Sequence, residues 1–186
     1  VYGEDDVSAA ALEDRRIAVL GYGSQGRAHA QNLRDSGYDV VAGVRKGGKG
    51  WTNARADKIE TAEPSEAVDG ADLIAFLTPD MAQEAIWNEV IAPHAKKGST
   101  LLFAHGFSIH YGRVKPRADM DVVLVAPKGP GDLVRREFIR GRGVPALFAV
   151  HQDATETARQ RAMAYAKGIG GAAGGLIETT FAEETE

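Results

Sequence analysis

The segment Gly21-Tyr22-Gly23-Ser24-Gln25-Gly26 carries the glycine spacing of a loop that seats phosphate groups. Gly21 permits a tight turn, Gly23 lets the backbone approach a pyrophosphate, and Gly26 lets a following helix pack close to its strand. The N-terminus of that helix then presents free N–H groups and a partial positive charge to the phosphates. With 22 glycines in the chain, such spacings also arise by chance. Context decides the matter: the loop directly follows the apolar run Ile17 to Leu20 and opens a segment of helical composition, as a dinucleotide site requires.

A second group of residues bears on which dinucleotide is held. The apolar run Val40 to Val44 ends in Arg45-Lys46, where a domain that prefers NAD usually places Asp or Glu to bond the adenine ribose hydroxyls. No acid is present there. Arg45, Lys46 and Lys49 instead offer positive charge to a 2′-phosphate, and a charged hydrogen bond of this kind contributes roughly 1.5–3 kcal/mol, about ten- to a hundred-fold in affinity. NADP(H) is therefore the expected cofactor. His105 and Lys128 each follow directly on an apolar run, at the edge where doubly wound sheets build ligand sites. On position alone, His105 is either a functional group near a nicotinamide or a loop residue satisfied by backbone. Lys128 orients or protonates a substrate oxygen, holds a carboxylate that binds metal, or is an ordinary loop lysine. Asp80, after Thr78-Pro79, is first of all a helix N-cap candidate.

These residues need a frame. Short runs rich in Val, Ile, Leu and Phe recur at Ile17 to Leu20, Val40 to Val44, Leu73 to Leu77, Thr100 to Ala104, Val122 to Val125 and Ala146 to Val150. Such runs are strands buried on both faces. Between them, Gln25 to Asp35, Asp80 to Ile91 and Ala154 to Ala166 have helix-forming composition, Gly37 stands where a C-terminal cap is wanted, and Pro64 opens a shorter helix to Val68. The alternation predicts an α/β fold of the Rossmann kind, a doubly wound, mainly parallel sheet with helices on both faces. Two glycine-rich segments, Gly47 to Gly50 and Gly168 to Gly175, and a helix-poor stretch from His105 to Arg117 stand apart from it.

A length of 186 residues suits one well-buried domain, here expected to span residues 1–186. The net charge of −4 is spread along the chain, which argues against a general nucleic-acid or membrane-surface binder. Without cysteine there is neither a disulfide framework nor a thiolate metal site, as expected of a reducing cytoplasm. The apolar runs are too short to cross a bilayer, and the acidic opening Val1 to Asp6 is unlike a secretion signal. A start on Val1 rather than Met, and an end in Glu183-Glu184-Thr185-Glu186, lead us to expect a portion of a longer protein.

Further segments widen the picture. Leu20 to Gly26 with Ala28-His29-Ala30, then Ala104-His105-Gly106-Phe107, then Ala126-Pro127-Lys128-Gly129-Pro130-Gly131, and the tail Glu178-Thr179-Thr180-Phe181 resemble the N-terminal domain of ketol-acid reductoisomerase, and the likeness runs from end to end. The resemblance implies conversion of a 2-hydroxy-3-keto acid such as 2-acetolactate into a 2,3-dihydroxy acid, by alkyl migration and then hydride transfer from NADPH, with Mg2+ required. Two divalent cations suit that chemistry, because migration needs a deprotonated hydroxyl and a polarised ketone together. It also implies that His105 and Lys128 are the catalytic residues of this segment, and that the turn ending in Asp80, Gln83 and Gly131 border the cofactor. The metal ligands and a helical second domain are expected outside these residues, so no metal site is assigned here. Glu183, Glu184 and Glu186 read as a solvated tail, and the full enzyme is expected to be a homo-oligomer.

Departures from the family pattern matter too. Gly48 and Gly50 stand where family members commonly carry serines that help hold the 2′-phosphate, and Ala172-Ala173 stand where Thr-Arg is common. Two other readings compete with the isomeroreductase: a free-standing NADP(H)-sensing module, and part of a reductase of the hydroxyacid-dehydrogenase kind. His29, His94, His110 and His151 read as surface or helix-packing residues, and Trp87 as either core or a docking surface.

Overall fold

The computed structural model describes residues 1–186. The chain alternates strand and helix from β1 (Arg16–Leu20) and α1 (Ser24–Asp35) through β2 (Asp39–Gly43), α2 (Lys49–Ala56), β3 (Glu60–Ala62), α3 (Pro64–Val68) and β4 (Leu73–Phe76). It continues with α4 (Asp80–Ile86), α5 (Ala92–His94), β5 (Thr100–Phe103), α6 (Phe107–His110), β6 (Asp121–Pro127), α7 (Gly131–Ile139) and β7 (Ala146–Gln152). The last elements are α8 (Ala158–Gly168), α9 (Gly171–Gly174), β8 (Leu176–Glu178) and α10 (Phe181–Thr185). One sheet of eight strands results, in the order β3-β2-β1-β4-β5-β6-β7-β8. The central strands are buried on both sides because helices cover both faces, so they read as unbroken apolar runs. The expected Rossmann-like fold is the one observed.

The sheet departs from uniform direction at one place. β7 runs antiparallel to β6, with Pro127 opposite Ala146, and β8 runs parallel to β7. After β6 the chain crosses α7, which packs on α1, and re-enters the sheet at the edge it had just left. The helix expected over Asp80 to Ile91 is regular only to Ile86; Trp87–Ile91 winds as a wider π turn. Pro93 follows it and has no N–H to return to the preceding turn. The helix expected from Ala154 starts at Ala158, because the N–H groups of Ala154 and Thr155 both go to the Asp121 carboxylate. Gly37 has φ +93°, the left-handed conformation expected of a residue just past a helix end.

Two apolar layers flank the sheet. One packs β1, β2 and β7 beneath α1 and α8 and includes Leu33, Phe148 and Tyr165; the other lies beneath α3, α4 and α6 and includes Phe76, Phe103, Ile109 and Trp87. Trp87 is only 5% exposed, so it belongs to the core. No helix is long and apolar enough to cross a membrane.

Candidate functional site

The carboxyl ends of five parallel strands open on one edge of the sheet. β1 leads to Gly21, β2 to Arg45, β4 to Thr78, β5 to His105 and β6 to Lys128. The chain order reverses between β1 and β4, and that crevice is where open α/β sheets place ligands. Gly21, at φ +93°, presses on the end of β4: a side chain there would stand 2.9 Å from the Leu77 carbonyl oxygen. A side chain on Gly26 would overlap the Gly21 carbonyl, so the first turn of α1 closes directly onto its own loop. Gly131, at the start of α7, lies against the backbone of Ser24 with no room for a Cβ. Gly23, by contrast, has open space before it and caps α1 in extended conformation without a side-chain hydrogen bond. The first N–H groups of α1 are therefore free to meet an anion. The buried Thr78 hydroxyl, beside the same crevice, has no hydrogen-bond partner. A cradle that only glycine fits, free helix N–H groups and an orphaned hydroxyl together suit a dinucleotide.

A cleft of about 970 Å³ runs beside this loop between α1, α2 and α7, with Gly23, Ser24, Lys49, Gly50 and Gly131 on its walls. Arg45, Lys46 and Lys49 are exposed on the turn between β2 and α2. That turn is held through its backbone: the Gly48 N–H donates to the Arg45 carbonyl at 3.0 Å and the Lys46 N–H to Glu63 at 3.1 Å. Gly48 caps α2 and Gly50 lies within it, so the glycine-rich segment is a helix start. Asp57, at the far end of α2, ties that helix to the glycine loop and to α1. It accepts from the Tyr22 hydroxyl at 2.7 Å and from both arms of Arg27 at 2.7 and 2.9 Å. Burial alone would raise the Asp57 pKa, but the hydrogen bonds from Arg27 and Tyr22 outweigh it and hold the carboxyl below its ordinary range. Burial, with Asp57 alongside, raises the Tyr22 phenol.

The other end of the edge is built around His105. Its Nδ1 lies 2.9 Å from the Glu184 carboxylate, and its Nε2 faces Asp80 at 3.9 Å. Glu184 also accepts the Gly106 N–H at 2.6 Å, and its side chain is only 13% exposed. The solvated tail expected at Glu183 to Glu186 is therefore corrected for Glu184. Phe181 anchors α10 in the core and Thr180 caps it, which swings the carboxylate onto the loop after β5. Asp80 is the first residue of α4 and makes no cap; Pro79 holds that position. Gln83 is buried, donating to the Phe76 and Thr78 carbonyls and accepting from Ser108, so it braces the turn under the crevice. Lys128 is exposed at the end of β6, its N–H given to the Pro145 carbonyl at 2.8 Å. No group of three or more His, Asp or Glu side chains in the chain is arranged to hold a metal ion. Glu184 and Asp57 carry no local sequence signal, since each acquires its place from residues far along the chain.

A family model described as the NADPH-binding domain of acetohydroxy acid isomeroreductase matches residues 11–175. The chain belongs to this family. As a member of this isomeroreductase family it is 60% identical, over 171 residues, to the ketol-acid reductoisomerase (NADP(+)) of Xanthomonas euvesicatoria pv. vesicatoria, covering 92% of this chain and 51% of that protein. The corresponding enzyme of Xylella fastidiosa is 58% identical over 171 residues, with 92% and 49% covered. The chain thus spans about half the length of the curated relatives it matches. Among solved structures, an NADH-preferring ketol-acid reductoisomerase from an uncultured archean superposes with a TM-score of 0.95 at 40% identity, over 99% of this chain and 57% of that one.

Proposed function

We propose that these residues form the cofactor-binding portion of an NADPH-dependent ketol-acid reductoisomerase of branched-chain amino-acid biosynthesis. The observation that carries the reading is the cradle of Gly21, Gly26 and Gly131 at the strand crossover, in a chain 60% identical to such an enzyme. NADPH supplies the hydride when bound. The loop residues Tyr22, Gly23, Ser24 and Gln25 seat its pyrophosphate on the α1 N-terminus, and Arg45, Lys46 and Lys49 meet the 2′-phosphate, beside Gly48 and Gly50. The turn at Asp80, with Gln83 beneath it, and Gly131 bound the crevice.

His105 and Lys128 stand at the substrate end of the same edge. His105, steadied by Glu184, offers its Nε2 to a substrate oxygen, and the Lys128 ammonium orients or protonates a substrate oxygen as the alkyl group migrates. Mg2+ would be held by carboxylates outside these residues, in a helical domain corresponding to the rest of the relatives' length, and would supply Lewis-acid activation of the substrate. The substrate is a 2-hydroxy-3-keto acid such as 2-acetolactate, the full enzyme is a cytoplasmic homo-oligomer, and residues 1–186 alone bind cofactor without turnover.

The preference for NADPH rests on Arg45 and the two lysines, whereas the archean relative is NADH-preferring and Gly48 and Gly50 lack hydroxyls. Titration of the chain with both cofactors, followed by assay with 2-acetolactate after fusion to the helical half of the Xanthomonas relative, tests the whole reading. Tighter NADPH binding, with turnover only in the fusion, is the expected result. A chain that binds neither cofactor would overturn it.

A further inference from the structure

Two buried polar residues, Tyr165 and His29, play no part in the site as described so far, yet they form a hydrogen-bonded chain that reaches it at Gln25. The Tyr165 hydroxyl on α8 lies 2.7 Å from His29 Nδ1, and His29 Nε2 lies 3.0 Å from Gln25 Oε1. Gln25 Nε2 donates to the Gly129 carbonyl at 2.9 Å. Tyr165 and His29 are both 0% exposed, deep between α8 and α1, whereas Gln25 belongs to the phosphate loop and Gly129 follows Lys128. Three hydrogen bonds thus run from the core to the two loops that carry the candidate chemistry.

The direction of every bond follows from its last acceptor. A backbone carbonyl only accepts, so the Gln25 amide must point its Nε2 at Gly129 and its Oε1 at His29. The Oε1 also only accepts, so His29 must carry its proton on Nε2. Its Nδ1 is then left to accept from Tyr165, which donates its hydroxyl proton. Burial lowers the His29 pKa to about 3, so the ring stays neutral at physiological pH and the polarity does not reverse. Burial likewise keeps the Tyr165 phenol protonated.

We infer that His29 is a positioning residue: held in its Nε2–H form between Tyr165 and Gln25, it orients Gln25 so that the phosphate loop and the Lys128–Gly129 turn are held in one register. The packing agrees. Gly131, two residues past Gly129, touches the Ser24 backbone so closely that the loop and the turn cannot move independently. Asn32, one helical turn beyond His29, braces the same pair of helices by donating to the Ile169 carbonyl at 3.1 Å. The relay therefore links the stability of α8 to cofactor affinity and to the placement of Lys128. Its functional consequence, though not its bonding, rests on the loop being the NADP(H) site.

NMR of the 15N-labelled chain tests the bonding, and NADPH titration tests the consequence. Long-range 1H–15N correlations are expected to place the His29 proton on Nε2 from pH 5 to 8, with one Gln25 side-chain amide proton shifted and protected. Tyr165→Phe, which touches neither loop, is expected to speed exchange of that amide proton and to weaken NADPH binding by about threefold to tenfold. Gln25→Met, at a half-buried position, is expected to weaken it by a similar factor with little change in Tm, which keeps the test open if Tyr165→Phe does not fold. A ring proton on Nδ1, or variants that lower Tm while leaving the NADPH Kd unchanged, would overturn the inference. Failure of the wild-type chain to bind NADPH would instead count against the cofactor reading and leave the tautomer to judge the relay.

Discussion

Two loops at one edge of the sheet are built on opposite physical plans. The phosphate loop, Gly21 to Gly26, is closed by contact: backbone meets backbone at Leu77, within the loop itself and at Gly131. The loop from Arg45 to Lys49 is closed by one backbone hydrogen bond of its own, from Gly48 to Arg45, and by Glu63, with its cations in solvent. The first is stiff because a close-packed region has no slack for an added atom. The second is adjustable, because solvated side chains on a turn change identity at little cost to stability. On the proposed reading, a dinucleotide site divided in this way would keep the pyrophosphate geometry constant while the 2′-phosphate end varies. An NADH-preferring relative with a TM-score of 0.95 is what such a division leads one to expect.

The sharpest way to break the contrast is to add one carbon to the stiff loop. Gly26→Ala is expected to remove NADPH and NADH binding together and to cost about 3 kcal/mol of stability or more. A calorimetric Tm lowered by roughly 6–12 °C would record it, and a variant that melts and binds like the wild type would show that the loop yields. Arg45→Ala probes the adjustable loop. NADPH binding should weaken about ten- to a hundred-fold, NADH binding should hold, and stability should stay within about 0.5 kcal/mol of the parent. Equal losses for the two cofactors in fluorescence titration would remove Arg45 from the 2′-phosphate.

Asp57 joins the glycine loop to the far end of α2, the helix that the cationic turn opens, so its titration sharpens the comparison further. Because its folded pKa lies below the unfolded one, its stabilising contribution is complete above about pH 4 and is lost as pH falls through the folded value. Asp57→Asn should therefore cost about 1 kcal/mol at pH 7 and progressively less in acid, measured by urea unfolding at several pH values. A cost independent of pH would assign Asp57 a packing role only. The smallest effect is expected from restoring hydroxyls. Gly48→Ser with Gly50→Ser should tighten NADPH by about threefold and leave NADH unchanged. At Gly50 the new Cβ stands 3.2 Å from Val44 and 3.3 Å from Tyr22, so a loss of affinity would mean those neighbours do not give way.

The glycine loop, the six long strands and the left-handed cap at Gly37 were all legible in the chain, because each rests on local rules of spacing and backbone freedom. The three-residue edge strands Glu60–Ala62 and Leu176–Glu178 were not, since a pattern of period two needs more length to stand out. The helices Lys49–Ala56 and Gly131–Ile139 were hidden by the glycines at their starts, which read as loop until packing against α1 or the sheet selects the helix. His105 and Lys128 were legible as strand ends. Whether they touch anything was not.

What the sequence alone determined is the set of local devices: a glycine turn between a strand and a helix, a cationic turn after the next strand, and an alternation that only a doubly wound sheet satisfies. What the tertiary structure decided is every pairing across long separations. Glu184 comes to His105, Asp57 to Tyr22 and Arg27, and Tyr165 through His29 and Gln25 to Gly129. The reason is physical: a turn or a cap is specified by the conformational limits of a few neighbouring residues, whereas a hydrogen bond between distant residues exists only once helices and strands have packed and excluded the water that would otherwise take its place.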